Sequence, residues 1–99
     1  MSEREGPSGI RRWVRWRVAG RVQGVGFRWF VEQAASRHRL VGDVCNLSDG
    51  CVEIRAGGSD EQLERLLADV RQGPRHARVD DVETLEPEPV THVTGFVIR

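Results

Sequence analysis

The chain has 99 residues, 38% of them apolar, which sets an expectation of one domain with a modest core. Basic and acidic residues balance at 15 each, so the net charge is zero and the basic surplus that a general nucleic-acid binder needs to displace counterions is missing. Every basic residue is arginine and there is no tyrosine, which removes Schiff-base lysines, lysine-dependent nucleotide loops and tyrosine acids or bases.

Residues 1–11 are polar, carry Gly6, Pro7 and Gly9, and read as a flexible tail ahead of one domain over residues 12–99. They hold no apolar core of the kind a signal peptide needs, and no apolar run reaches membrane-spanning length, so the expected location is the cytoplasm. Val14, Trp16 and Val18 alternate with Arg15 and Arg17, the pattern of a half-buried strand. A glycine-rich stretch, GRVQGVGFR at residues 20–28, follows. Phe27, Phe30, Val31 and Ala34 then fall at helical spacing, which predicts a helix from about Gly26 to His38.

Leu40 to Leu47 reads as a second strand, Asp49-Gly50 as a two-residue hairpin turn, and Cys51 to Ala56 as the returning strand, ended by Gly57-Gly58. Such a turn pairs Ser48 with Cys51 and Cys45 with Ile54. The two thiols are then offset along the ladder, so no bridge is expected, and both read as free cysteines of a reducing compartment. Two Cys are too few for a zinc site, and the three His do not cluster near them. Ser59 with Gln62 forms a capping box for a second helix, whose apolar stripe is Leu63, Leu66, Leu67 and Val70 and whose stop is Gly73-Pro74. Ala77 to Leu85 is a fourth strand with an irregularity between Val79 and Val82. An acidic, proline-bearing loop, Glu86 to Pro89, leads to a short closing strand, Phe96 to Arg99.

The order β-α-β-β-α-β with a short C-terminal strand is that of an α+β, ferredoxin-like α/β sandwich, with two helices covering one face of an antiparallel sheet. In such a fold the two central strands border the helices, and the loop after the first is expected to face the end of the second. The fold by itself decides nothing about function.

Three readings compete for the glycine loop. A dinucleotide fingerprint lacks its third glycine, because Gly24-Val25-Gly26 is followed by Phe27, Arg28 and Trp29; a lysine-dependent phosphate loop has no lysine. The third is an anion cradle at a helix start. Successive backbone N–H groups converge on an oxygen-rich anion, the helix N-terminus adds unpaired donors, and Arg28 in the first turn folds back over the same place. A glycine turn that merely passes a strand tightly into a helix, with Arg28 solvated, stands beside it.

Gly20 to Arg28 resembles the signature loop of the acylphosphatases. Val41-Gly42-Asp43-Val44-Cys45-Asn46 with Asp49-Gly50-Cys51-Val52-Glu53 is similar to that family's second motif. Gly73-Pro74, Ala77-Arg78-Val79 and Phe96-Val97-Ile98-Arg99 also fit, so the resemblance covers residues 12–99. It implies a ferredoxin-like sandwich and hydrolysis of carboxylic-phosphoric mixed anhydrides to carboxylate and inorganic phosphate. It gives Arg28 the phosphate-binding role, Asn46 the role of holding the attacking water, and the backbone of Val22, Gln23, Gly24, Val25 and Gly26 the role of phosphate cradle. No metal or organic cofactor is implied, and the expected partner is a small acyl phosphate, with no nucleic acid or membrane and a monomeric state.

The chemistry suits such a site. A leaving carboxylate, with a pKa of roughly 4, departs without a proton, so no general acid is needed. Charge neutralisation and an aimed water remain, and these dominate phosphoryl transfer. Asn46 can accept from and donate to a water but cannot act as a base, so the proton is expected to end on a phosphoryl oxygen. A plain turn role is the alternative for Asn46. Arg21 reads as a solvated loop charge, Trp16, Phe27 and Phe30 as core, Trp29 as a residue bordering the pocket mouth, and Asp49 as a turn former. His38, His76 and His92 read as surface positions, and Arg99 as pairing within the fold.

Asp43 stands where the family commonly has a bulky aromatic, Cys45 where it has a basic residue, and Arg39 where a glycine closes the first helix. The first two are expected to lower the positive potential near Asn46; Arg39 must accept left-handed geometry or alter the cap. Two alternatives to an enzyme remain. One is a module that binds a phosphate-bearing ligand without turnover, as in larger maturation proteins that handle carbamoyl phosphate. The other is an RNA-binding sheet, against which the Val, Ile and Arg of the strands argue.

Overall fold

The structure is a computed structural model that describes residues 10–91 and 94–99. The first nine residues of the expected tail, and His92, lie outside the described residues. Strand β1 (Arg12–Arg21), helix α1 (Phe27–Arg37), strands β2 (Val41–Asn46) and β3 (Val52–Gly58), helix α2 (Asp60–Gln72) and strands β4 (Arg78–Leu85) and β5 (Phe96–Ile98) follow in that order. Both helices pack on the sheet face that carries Val14, Trp16, Val18, Val44, Val52 and Ile54.

The sheet order is β4-β1-β3-β2-β5. The pairings of β1 with β3 and β4, and of β2 with β3, are antiparallel, but β5 runs parallel to β2, with Val44 opposite Ile98. The antiparallel sheet expected from the sequence is thus present in its four long strands, and the parallel direction of the short β5 follows from the last connection. The chain leaves β4 at one edge, beside Arg15, and crosses to the other edge at the same end of the sheet, beside Gly42. It therefore enters β5 in the direction of β2. The inner strands β1 and β3 are also antiparallel, with Val18 opposite Val52. The loop leaving β1 thus lies at the start of β3 and the end of β2, not at the end of β3.

The β2–β3 hairpin differs from the expected one by one residue. Cys45 pairs with Glu53 and Asn46 with Val52. The loop has three residues, Ser48-Asp49-Gly50, closed by Leu47 N–H donating to the Cys51 carbonyl at 2.8 Å. Gly50 takes φ +93°, and the Asp49 carboxylate accepts the Cys51 N–H at 3.0 Å. This side-chain bond stabilises the longer loop over the two-residue turn. Register matters here because the side-chain period is two. The expected register would have put Val44 opposite Arg55 and Asn46 opposite Glu53; the observed one puts both opposite apolar partners on the helix-covered face.

Strand β3 also continues through Gly57 and Gly58 instead of breaking there. A β-carbon on Gly57 would lie 2.8 Å from the Trp13 indole, so close packing accounts for this glycine. The irregularity in β4 is present, as a register shift at Ala19/Gly20 opposite Val79 and Asp81.

Helix α2 has its capping box: Gln62 N–H donates to Ser59 Oγ at 3.2 Å, and Ser59 N–H to Gln62 Oε1 at 2.8 Å. Such a cap is worth about 1 kcal/mol, whereas each of the buried Leu63, Leu66 and Val70 side chains is worth about 1.5–3 kcal/mol. Packing holds this helix and the cap decides where it starts. At the end of α1, Arg39 N–H donates to Ser36 O at 3.0 Å and Leu40 N–H to Ala35 O at 2.9 Å, a closure that places Arg39 at φ +62°. His38 is not a surface residue. Its Nε2 lies 2.8 Å from the Asp69 carboxylate on α2, and its side chain is 18% exposed.

The other sheet face carries charge. Asp43, 1% exposed, accepts from Arg55 Nε at 2.9 Å and Nη2 at 2.6 Å and from Arg99 Nε at 2.7 Å. The crossing segment after β4 is pinned here, with Glu88 3.1 Å from Arg55 and the Glu86 carbonyl 3.4 Å from Arg15. The hydrogen bond to Asp43 raises the Arg55 pKa above its ordinary value. Arg99 pairs within the fold, as expected from the sequence.

Candidate active site

The cradle begins where β1 ends. Val22, 1% exposed, anchors its first residue in the core. Gly24 and Gly26 follow at φ +76° and +77°, and a β-carbon on either would meet nothing within 4 Å. The left-handed backbone, not crowding, demands glycine at both. Gly26 is the N-cap of α1, and its carbonyl accepts the first helical bond, from Phe30 N–H at 3.0 Å. Among the described residues no side chain caps this helix, and no acidic residue sits in its first turn, whereas α2 has Ser59, Asp60 and Glu61 in those places. The positive end of α1 thus has neither of the two features that offset it in α2.

Arg28, in that first turn, is half-buried, and its Nη1 donates to the main-chain oxygen of Arg99 at 3.2 Å. Among the described residues no carboxylate side chain pairs with it. Asn46 is the last residue of β2, exposed, on the helix-covered side of the sheet. These groups share one cleft of about 190 Å³. Val22, Gly24, Gly26, Phe27, Arg28 and Trp29 line one wall; Asn46 and Ile98 line the other.

The structure thus brings Val22, Gly24, Gly26, Arg28 and Asn46 together, and Trp29 borders the cleft. The side chains of Gln23 and Val25 do not line it. Val25 is partly buried against the core, and Gln23 reaches across to the hairpin, where its Nε2 donates to the Leu47 and Cys51 carbonyls at 2.8 Å each. This double bond ties the cradle to the turn that follows Asn46. Ile98 was not singled out from the sequence, because its place beside Asn46 depends on the parallel pairing of β5.

Asp43 and Cys45 alternate with Val44 and Asn46, so both lie on the sheet face away from the cleft. The charge of Asp43 is met there by Arg55 and Arg99, and it does not bear on the Asn46 side as the sequence suggested. Burial pushes the Cys45 and Cys51 thiols up, which keeps them protonated; both cysteines are free. Asp49 is bound by Arg17 and accepts the Cys51 N–H, which together hold its carboxyl down to about 2. It is a turn former.

Comparison with known proteins identifies the family. The acylphosphatase family model covers residues 14–98. The chain belongs to the acylphosphatase family, and with it to the hydrolases that split acyl phosphates. It is 49% identical to an acylphosphatase of Koribacter versatilis over 85 residues, 86% of this chain and 77% of that one. The crystal structure of acylphosphatase from Bacillus subtilis superposes with a TM-score of 0.81 at 38% identity, over 88% of this chain and 97% of that one. The structure of an acylphosphatase from Coxiella burnetii gives 0.84 at 33% identity, over the whole of both chains. No helix among the described residues is long and apolar enough to cross a membrane.

Proposed function

We propose that this chain hydrolyses acyl phosphates by in-line attack of a water held by Asn46 on a phosphoryl group held by Arg28 and the backbone of residues 22–26. The water oxygen bonds to phosphorus as the bond from phosphorus to the acyl oxygen breaks, and the carboxylate leaves with the electron pair. One water proton passes to a phosphoryl oxygen, so carboxylate and dihydrogen phosphate result. Arg28 and the N-terminus of α1 offset the phosphoryl charge, and Asn46 aims the water. The observation that carries this reading is the meeting of Arg28, the uncapped end of α1 and Asn46 in one cleft. Gln23 sets the distance between the two walls through its bonds to Leu47 and Cys51.

The reaction draws on no metal or organic cofactor in this reading, since the leaving group needs no proton and the charge is met by Arg28 and main-chain donors. We further take the protein to act as a monomer on a small acyl phosphate in the cytoplasm, with neither nucleic acid nor membrane as partner. The two free thiols fit a reducing compartment.

Hydrolysis of benzoyl phosphate by wild type, Arg28→Ala and Asn46→Ala tests the roles. Arg28→Ala is expected to lose both inhibition by inorganic phosphate and turnover, the latter by about 10³-fold or more. Asn46→Ala is expected to keep phosphate inhibition while kcat falls by about 10²–10³-fold. Retained phosphate inhibition in Arg28→Ala, or near-normal kcat in Asn46→Ala, refutes the corresponding role. A folded wild type that binds phosphate but turns over no acyl phosphate would make the chain a binding module.

A further inference from the structure

The cleft is small, and part of its exposed lining is apolar. At about 190 Å³ it falls below the roughly 300–1,000 Å³ of sites that enclose drug-sized ligands. With the phosphoryl group in the cradle, the acyl group of the substrate must lie at the mouth. Two apolar side chains are waiting there. Trp29 is 63% exposed and Ile98 is 43% exposed, and both line the same cleft as Arg28 and Asn46. Trp29 directly follows Arg28 on α1, and Ile98 directly precedes Arg99 on β5. The hydrogen bond from Arg28 to the Arg99 main-chain oxygen therefore has an apolar neighbour at each end.

The fold does not use these surfaces. Trp16 is buried and packed in the core, whereas the Trp29 indole faces outward from the first turn of α1. Among the described residues the exposed large apolar side chains are Trp29, Val97 and Ile98, and two of the three meet at this one place. Among the described residues no carboxylate side chain or second arginine lines the cleft, so a charged acyl group would find no partner there that the phosphoryl group does not already occupy.

We infer that Trp29 and Ile98 form the acyl subsite, and that the preferred substrates are phosphates of aromatic or bulky apolar carboxylic acids. The inference rests on the acyl phosphatase reading of the cleft and adds the class of acid. An aromatic ring on the acyl carbon can stack offset or edge-on against the indole, while the single methyl of an acetyl group covers little of it. Because Trp29 is exposed and makes no core contact that the fold requires, it can be truncated without loss of folding.

The test is kcat/KM for benzoyl phosphate and for acetyl phosphate, measured in wild type, Trp29→Ala, Trp29→Phe and Ile98→Ser. The readout is the ratio of the two values within each protein. Wild type is expected to favour benzoyl phosphate. Trp29→Ala should lower the ratio by about fivefold to tenfold, and Trp29→Phe should recover most of it. Ile98→Ser should lower it by about twofold to threefold. An unchanged ratio in Trp29→Ala, or an equal loss for both substrates, overturns the subsite. Hydrolysis of neither substrate by wild type is a different result: it overturns the proposed function, and the subsite with it.

Discussion

At the end of α1 the left-handed residue is an arginine, Arg39 at φ +62°. An L side chain in that conformation costs about 1–2 kcal/mol. Arg39→Gly removes the cost, but part of the gain is returned because glycine makes the unfolded chain more flexible, by about 0.4–1 kcal/mol. The net stabilisation expected is about 0.5–1 kcal/mol. Little else is lost. Arg39 is exposed, and the two closing bonds, Arg39 N–H to Ser36 and Leu40 N–H to Ala35, are main-chain bonds that glycine keeps. In thermal unfolding this corresponds to a rise in Tm of about 2–8 °C for a domain of this size. Arg39→Ala serves as the control, since it drops the same side chain and retains the strained conformation. It should melt within about 2 °C of wild type. If Arg39→Gly melts at or below wild type, the strain is not stored at this residue and the argument fails.

Two further perturbations probe the charged side of the sheet and the hairpin. Asp43→Asn takes the charge partner from Arg55, whose side chain is 14% exposed, and from Arg99. The expected loss in urea unfolding is about 3 kcal/mol, the low end for breaking a buried pair, because Glu88 still meets Arg55. A loss under about 1 kcal/mol would mean that the pairs only break even with water. Asp49 concerns pH. Its carboxyl is depressed from the ordinary 3.8 to about 2 by Arg17 and the Cys51 N–H. The stability it brings is therefore complete above the unfolded value and disappears as pH falls through about 2. Between pH 4 and pH 2, Asp49→Asn should lose less stability than wild type; parallel acid-denaturation curves for the two proteins would contradict the assignment.

Local patterns carried well from sequence to structure. The alternation of Val14, Trp16 and Val18 with Arg15 and Arg17 gave β1 and its buried face, and Ser59 with Gln62 gave the start of α2. The glycine loop at the start of α1 was legible for the same reason: Gly24, Gly26 and Arg28 are near neighbours, so their local geometry needs no tertiary contact. Features that depend on distant partners were not. Asp49-Gly50 signals a turn without fixing its length, and the bond from Asp49 to Cys51 N–H that selects three residues is invisible in one dimension. Gly57-Gly58 looks like a break because glycine usually ends a strand, yet Trp13 on the neighbouring strand needs that bare backbone. The parallel pairing of β5, the place of Ile98 and the clamp from Gln23 all depend on which strands become neighbours.

The placement of β5 has a bearing on how activity arises as the chain folds. Asn46 and the Gly24–Arg28 loop are joined through the β1–β3–β2 ladder, but the rest of the second wall and the acceptor for Arg28 come from residues 98 and 99. Residue 98 pairs with residue 44 across more than half of the chain, and such non-local pairings form slowly because loop closure must be met first. A folding intermediate with both helices docked and β5 unpaired would hold the glycine cradle and still lack a finished cleft. Enzymatic turnover during refolding is therefore expected to wait for the pairing of β5.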